Sequence, residues 1–170
     1  MNFVELDRLT SKQYDELGDG DQDLFRREYL GLRWRAKERY FVLCGSDGRA
    51  LAATGLVVVD VEVVPNGLFA VAGIGDVIVA RSFRGKGLAR MVVGAAIRHA
   101  KSIGLDFAML FCDAGMVGLY ERLSFIEIDA PVYVEQPAGS MQIPMRSMWR
   151  AVREDATWPV GAVRLRGLPF

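Results

Sequence analysis

The segment from Val77 to Ala89 reads VIVARSFRGKGLA and decides how the rest of the chain is interpreted. An apolar strand pattern ends in a basic turn that is broken by Gly85 and Gly87, and a long helical pattern begins directly after this turn. Glycine lets backbone amides come close to a ligand, and the first amides of a helix have no acceptor within that helix. The segment therefore predicts a phosphate-binding turn built from backbone amides.

The spacing of this turn excludes two common phosphate-binding loops. A Walker loop needs Ser or Thr after Gly-Lys, and a dinucleotide fingerprint needs a third glycine on the new helix; neither is present. What remains is Arg-x-x-Gly-x-Ala, formed by Arg84, Gly87 and Ala89. This pattern, between a strand and a long amphipathic helix, resembles the acyl-CoA signature of the GNAT superfamily of N-acyltransferases.

A second segment of the chain supports the same resemblance. Tyr120 to Phe125 reads YERLSF and is similar to the Tyr-x-x-x-Gly-Phe segment of GNAT enzymes, with Ser124 in place of the usual glycine. In the family this tyrosine returns a proton to the departing CoA thiolate, which implies that Tyr120 is a catalytic proton donor. The alternative is that Tyr120 belongs only to the apolar stripe of its helix and is a core residue.

The resemblance implies acetyl-CoA as co-substrate and no metal. It implies that the strand residues Val77, Ile78 and Val79 pair with the pantetheine arm as an added strand. It also implies that the turn binds the pyrophosphate through Arg84, Gly85, Lys86, Gly87, Leu88 and Ala89.

The proton acceptor and the acceptor substrate are less directly indicated. Asp76 is the candidate base because it precedes Val77 at the expected cleft; the alternative is a carboxylate that faces solvent or is satisfied within a bulge. The resemblance implies a small-molecule primary amine as acceptor. We expect it to be a small cationic amine, because acidic residues occur on segments that could border the cleft: Asp60, Glu62, Asp76 and Glu135. A homodimer is left open.

The order of predicted elements indicates an α+β fold. Helices are predicted at 11–17, 21–34, 88–102 and 114–123, the last capped by Asp113, and strands at 40–44, 50–64, 68–79, 107–112, 125–128, 132–134 and 141–149. The inner stripe of the third helix is predicted to be Leu88, Val92, Ala95, Ala96 and Ile103. An antiparallel meander followed by one parallel crossover matches the mixed, mostly antiparallel sheet of the GNAT fold over about residues 40–149.

Length and composition predict one domain over residues 1–170, with 150–170 as a C-terminal tail. The 21 basic residues balance 21 acidic ones, so no overall field attracts nucleic acid or an anionic membrane. The apolar runs are too short to span a bilayer, and the first residues lack the pattern of an export signal. We therefore expect a cytoplasmic protein without nucleic-acid or membrane partners.

The thiols are predicted to be structural. Cys44 and Cys112 lie in apolar surroundings, which favours buried, reduced side chains over a disulfide. A catalytic pair of Cys112 with His99 is less favoured because His99 is the only histidine, and a metal site is poorer still.

Two other function classes stay open at the level of sequence. The absence of an obvious base and the presence of Ser124 are compatible with a CoA-binding sensor that does not turn over. An interaction module would use residues 158–170, an expected exposed tail rich in Trp, Pro and Leu.

Overall fold

The computed structural model describes residues 1–19 and 30–170. Its strands are β1 Asn2–Leu6, β2 Arg39–Cys44, β3 Ala50–Val64, β4 Gly67–Val79, β5 Phe107–Cys112, β6 Ile126–Glu127, β7 Val132–Gln136, β8 Gly139–Gln142, β9 Arg146–Ala151 and β10 Ala162–Leu165. Its helices are α1 Ser11–Gly18, α2 Leu88–Ser102 and α3 Val117–Glu121, with short 3-10 segments at Arg81–Phe83 and Ala114–Met116.

The strands of the described residues form one mixed sheet in the order β6-β9-β5-β4-β3-β10-β7-β8. The pairs β4–β5 and β10–β7 are parallel, and the other pairs are antiparallel. Two strands pair with the same edge of β3: β2 pairs with its residues 50–56 and β10 with its residues 61–64. The predicted α+β class, with a meander and a parallel crossover, is confirmed.

Side chains that alternate along the central strands build two cores on opposite faces of the sheet. One core lies under α2, where Ile74 of β4 and Leu110 of β5 pack with Val93, Ala96 and Ala100. The other core contains Val57, Val71 and Met109 together with residues from the C-terminal part of the chain. β3 is therefore buried on both faces at residues 50–57 and β4 at residues 71–74, which explains the continuous apolar sequence there.

Helix α2 follows the prediction except at its end. Leu88, Val92, Ala95 and Ala96 are buried as predicted, but Ile103 is 47% exposed and does not belong to the inner stripe. The helix ends at Ser102, and Gly104 turns the chain away with a φ of 81°. None of the helices within residues 1–19 and 30–170 has the length and apolarity that a bilayer crossing requires.

Several predicted elements differ from the structure. The predicted helix 114–123 is a 3-10 segment followed by the five-residue α3, and the Asp113 side chain makes no capping hydrogen bond. The predicted strand 141–149 is two strands, β8 and β9, because Pro144 cannot donate to a ladder. Of the predicted helix 21–34, residues 21–29 lie outside the described residues, and residues 30–34 are not helical.

The C-terminal tail is not exposed, so the prediction for residues 158–170 is wrong. β10 lies between β3 and β7, Val163 is fully buried, and Leu165 is 2% exposed. The ring of Trp158 stacks on Trp149 at a centroid distance of 5.7 Å. An interaction module based on an exposed tail is therefore excluded, because the apolar side chains of this segment fill the second core.

Replacing Leu165 with Ala tests the role of β10 in the sheet. Removal of this buried side chain should lower the free energy of unfolding by about 2 to 5 kcal/mol. Arg164→Ala, one residue earlier on the exposed face of the strand, should change it by less than about 0.5 kcal/mol. Urea unfolding measures both, and equal stabilities for Leu165→Ala and the parent would contradict the placement of β10.

Candidate active site

A cleft opens where the parallel strands β4 and β5 separate. The two strands pair only at residues 72–74 and 108–110. The register of β4 against β3 then shifts by one residue between residues 75 and 78, which is a bulge, and Asp76 lies in it with a φ of 52°. A bulge bends its strand locally. A cleft of about 910 Å³ lies between the separated strands.

The cleft brings together the predicted site residues with one exception. Its lining includes Asp76, Val77, Ile78, Val79, Arg84, Gly85, Gly87, Leu88, Ala89 and Tyr120. Lys86 is not part of this lining, and its Nζ lies over the ring of Phe83, 4.9 Å from the ring centroid. The lysine of the basic turn therefore lies over Phe83 and outside the lining, whereas the two glycines of the turn border the cleft.

The basic turn has the backbone conformation that its glycines predict. Gly85 and Gly87 have φ values of 75° and 77°, and a Cβ on either would meet no atom within 4 Å. Glycine is therefore needed there for its left-handed conformation and not for lack of space. Arg84 Nε donates to the carbonyl of Val79 at 3.1 Å and ties the turn to the end of β4. The first amides of α2, which have no intrahelical acceptor, follow directly.

Tyr120 lies on α3 and is 7% exposed. Its ring packs edge-on against Phe125 at a centroid distance of 6.0 Å, and its carbonyl accepts a hydrogen bond from the Phe125 amide at 3.0 Å. Ser124 adopts the left-handed conformation, with a φ of 66°, so the chain leaves the helix there without the family's glycine. Burial, with a smaller effect of Cys112, raises the pKa of Tyr120 above its ordinary value of 10.0. Its hydroxyl therefore keeps its proton at neutral pH.

The two cysteines are free and buried, as predicted. Cys112 lines the cleft, but burial and the negative charges of Asp113 and Glu127 raise its pKa to about 11, so the thiol is protonated at neutral pH. His99 packs against the ring of Phe41 at 5.4 Å. No three His, Cys, Asp or Glu side chains in residues 1–19 and 30–170 come together as a metal site would need.

Asp76 lines the cleft and belongs to a buried cluster that the sequence did not reveal. The Tyr40 hydroxyl donates to Asp76 Oδ2 at 2.6 Å, and Lys37 Nζ lies 3.4 Å from Asp76 Oδ1. The side chains of Lys37 and Asp76 are only 1% and 6% exposed. This arrangement corresponds to a carboxylate satisfied within a bulge, the alternative that the sequence left open for Asp76.

The position of Lys37 explains two glycines in the interior of the sheet. Gly55 of β3 and Gly75 of β4 are partners in the ladder. A Cβ on either would collide with the Lys37 side chain, so the two glycines leave the space through which Lys37 reaches Asp76. Glycine within a strand indicates a close approach of another group, and this was the available signal for Lys37.

The lining of the cleft includes residues that pack on both faces of the sheet. Cys112 packs in the α2 core with Tyr120, whereas its neighbour Phe111 packs in the other core with Phe170, at a ring distance of 4.9 Å. The turn and α2 lie on the first of these faces. We name five of the apolar lining residues the apolar wall, and three of them, Phe111, Met145 and Phe170, pack in the second core. The other two residues of the apolar wall are Leu30 and Trp34.

Hydrogen bonds from distant segments hold the apolar wall in place. The Arg35 amide donates to the Pro169 carbonyl at 2.6 Å. The side chain of Gln136, at the end of β7, accepts from the Arg33 amide at 2.8 Å and donates to the Arg33 carbonyl at 3.0 Å. The segment that carries Leu30 and Trp34 is thus fixed to the C-terminal residues and to β7.

Three of the four acidic residues expected to border the cleft lie elsewhere. Glu62 accepts from Arg166 Nη2 at 2.6 Å, and Glu135 borders a separate depression of about 500 Å³. Asp60 is exposed on β3 and does not line the cleft either. The expectation is wrong for these three residues because β3 and β7 carry them beyond the region where β4 and β5 separate.

Replacing Lys37 with Met tests the buried ion pair. The substitution leaves Asp76 buried without its cation, so the free energy of unfolding should fall by about 3 to 5 kcal/mol. The double substitution Lys37→Met with Asp76→Asn should restore much of that loss, because Asn carries no charge and tolerates the left-handed conformation. Urea unfolding of the parent, both single variants and the double variant gives the coupling. Additive losses would contradict a direct interaction.

Comparisons with known proteins agree with this architecture. The model of the acetyltransferase (GNAT) family matches residues 4–125. No curated protein sequence matches the chain.

Solved structures of the same fold include proteins with bound CoA. The GNAT family N-acetyltransferase YhbS from Escherichia coli, in complex with CoA, is 16% identical over 98% of this chain and 94% of that chain, with a TM-score of 0.60. An aminoglycoside 6'-N-acetyltransferase complexed with coenzyme A is 14% identical over 92% of this chain and 100% of that chain, with a TM-score of 0.59. Glucosamine-6-phosphate N-acetyltransferase from Arabidopsis thaliana is 23% identical over 73% of this chain and 91% of that chain, with a TM-score of 0.52.

The matched region of the family model contains the bulge, the basic turn and Tyr120. Since residues 4–125 make up most of the 170 residues, this chain belongs to the acetyltransferase (GNAT) family and is an acyl-CoA-dependent N-acyltransferase.

Proposed function

We propose that this enzyme transfers the acetyl group of acetyl-CoA to the primary amine of a small molecule by direct attack of the amine on the thioester. The observation that carries the proposal is the meeting of two features in one cleft. A glycine turn at the start of α2, whose first amides have no acceptor within the helix, and a tyrosine that keeps its proton both line it. Holding the two substrates side by side supplies much of the rate through proximity.

The described residues fit acetyl-CoA as co-substrate. The residues proposed to hold the pyrophosphate are Arg84, Gly85, Gly87, Leu88 and Ala89, which act mainly through backbone amides. The edge of β4 at Val77 and Ile78 has no strand partner on the β5 side within the described residues, so its backbone groups are proposed to bind the pantetheine arm. The carbonyl of Val79 already accepts from Arg84 Nε. When bound, acetyl-CoA supplies the activated acetyl group.

The proposed role of Lys86 is smaller than the sequence suggested. Its ammonium lies over the ring of Phe83 and its side chain does not line the cleft. We assign it a contribution to the positive field of the turn and no direct contact.

We assign proton transfer to Tyr120 and Asp76. Tyr120 is proposed to donate a proton to the leaving thiolate, since burial keeps its hydroxyl protonated. Asp76 is proposed to take the proton of the amine in addition to its contacts with Lys37 and Tyr40 within the bulge. Of the carboxylates among the described lining residues, Asp76 and Asp113, it is Asp76 that adjoins the strand edge proposed for pantetheine. Tyr40 and Lys37 hold its side chain in one position.

Replacing Gly87 with Val tests the phosphate-binding turn. A β-branched side chain in the left-handed conformation distorts the turn, so the affinity for acetyl-CoA should fall at least about 30-fold. Lys86→Ala should weaken it less than about 5-fold.

Gly48 offers a matched control for this substitution. It has a φ of 78° and open space at its Cβ position, and it lies in the turn between β2 and β3, away from the cleft. Gly48→Val should therefore cost similar stability and leave acetyl-CoA binding unchanged. Isothermal calorimetry measures all three variants, and parental affinity in Gly87→Val would show that the turn does not hold the co-substrate.

Replacing Tyr120 with Phe tests the proton donor. The ring and its packing on Phe125 remain, so acetyl-CoA binding should change little, whereas turnover should fall roughly 10-fold to 1,000-fold. Tyr133→Phe, at the separate depression, is the control and should keep parental turnover. Release of the CoA thiol in the presence of an amine is the measurement. Parental turnover in a folded Tyr120→Phe variant would assign this residue to the core alone.

A further inference from the structure

The apolar wall of the cleft indicates the chemical class of the acceptor. We infer that the acceptor is a monoamine whose amino group is attached to an apolar body, preferably a flat aromatic one, that packs against the apolar wall. The inference rests on the proposed function and names the class of its second substrate. It restricts the small cationic acceptor that the sequence suggested to molecules with a single ammonium group, and so excludes polycations.

The first argument is the exposed apolar surface of the wall. Leu30, Trp34, Phe111 and Met145 are each only partly buried while they line the cleft. Burial of apolar surface is favourable, so these side chains leave a surface that an apolar ligand would cover.

The second argument is the shape of that surface. Phe170 is 4% exposed and lies against β4 at Gly73, where a Cβ would overlap its ring. The ring of Phe111 follows at 4.9 Å with an interplanar angle of 38°. Phe170 therefore supports the ring of Phe111, which is only partly buried and lines the cleft, and aromatic groups pack on one another in tilted or offset arrangements.

The third argument is the balance of charge in the cleft. Among the described lining residues the acids are Asp76 and Asp113, whereas Arg84, Arg90 and Arg122 are basic. Lys37 compensates the charge of Asp76. A second ammonium group placed against the apolar wall would lose its hydration without gaining an ion pair, because none of the described residues of the wall is acidic. A molecule with one amine near Asp76 and an otherwise apolar body fits this distribution of charge.

The test compares amines that differ in one feature. Hexylamine and 1,6-diaminohexane share length and reactive group, but the second carries an ammonium where the first has a methyl group. 2-Phenylethylamine adds a ring. Thiol release at saturating acetyl-CoA should give kcat/KM values for hexylamine and 2-phenylethylamine at least ~10-fold above that for 1,6-diaminohexane. An equal or higher value for the diamine would overturn the inference.

Two variants of the wall locate the effect. Met145→Gln keeps the length of the side chain and makes it polar, and Phe111→Leu keeps an apolar residue and removes the ring. Each should lower kcat/KM for 2-phenylethylamine by ~10-fold, mainly through KM, and leave the KM for acetyl-CoA within twofold. Tyr133→Leu, outside the cleft, is the control. An unchanged KM for 2-phenylethylamine in both folded wall variants would overturn the inference.

Binding measurements separate this inference from the proposed function. If CoA binds but no amine releases the thiol, the proposed catalysis fails and the CoA-sensor alternative replaces it. Calorimetric titration of 2-phenylethylamine into the CoA-saturated protein still decides the question of the wall. Binding that Met145→Gln and Phe111→Leu weaken supports the inference, and absence of binding to the parent protein overturns it.

Discussion

The separation of β4 from β5 is the constraint on which the rest of the site depends. Two neighbouring parallel strands normally pair through evenly spaced backbone hydrogen bonds along their length. Here the pairing of β4 with β5 ends after residue 74 of β4. The bulge at Asp76 bends β4 there, and the Asp76 carboxylate is held by Lys37 and Tyr40. A buried carboxylate is stable only with such partners. The cluster of Asp76, Lys37 and Tyr40 therefore stabilises the bulge at which β4 separates from β5.

The residues that line the cleft differ in chemistry between the two faces of the sheet. The α2 side offers backbone amides and a protonated tyrosine, which suit an anionic co-substrate and a leaving thiolate. The apolar wall offers aromatic and apolar side chains from β5, the C-terminal residues and the segment that begins at residue 30. Strand alternation produces this division, because Phe111 and Cys112 are neighbours in sequence and yet pack in different cores.

The sequence predicted the parts of the site that are local. The strand, the glycine turn and α2 follow one another without interruption, so their geometry depends on backbone conformation that glycine and periodicity reveal. Lys37 and Phe170 could not be predicted in the same way, because each reaches the cleft through contacts with residues distant in sequence. β10 was missed for a similar reason: a four-residue strand has little periodicity, and only its pairing with β3 and β7 orders it. The prediction that Asp60, Glu62 and Glu135 border the cleft was wrong, because the residue type alone does not show where along the sheet a side chain lies.

The position of β10 also determines which parts of the molecule open together. β7 and β8 join the rest of the sheet through β10, and Gln136 of β7 in turn binds the backbone of Arg33 beside the apolar wall. Partial unfolding that begins with the short β10 would therefore release the β7–β8 hairpin and loosen the segment of Leu30 and Trp34 in one cooperative unit, while the α2 side keeps its own core. The two halves of the cleft thus belong to units of different local stability, and amide exchange should be slower around α2 than in β7 and β10.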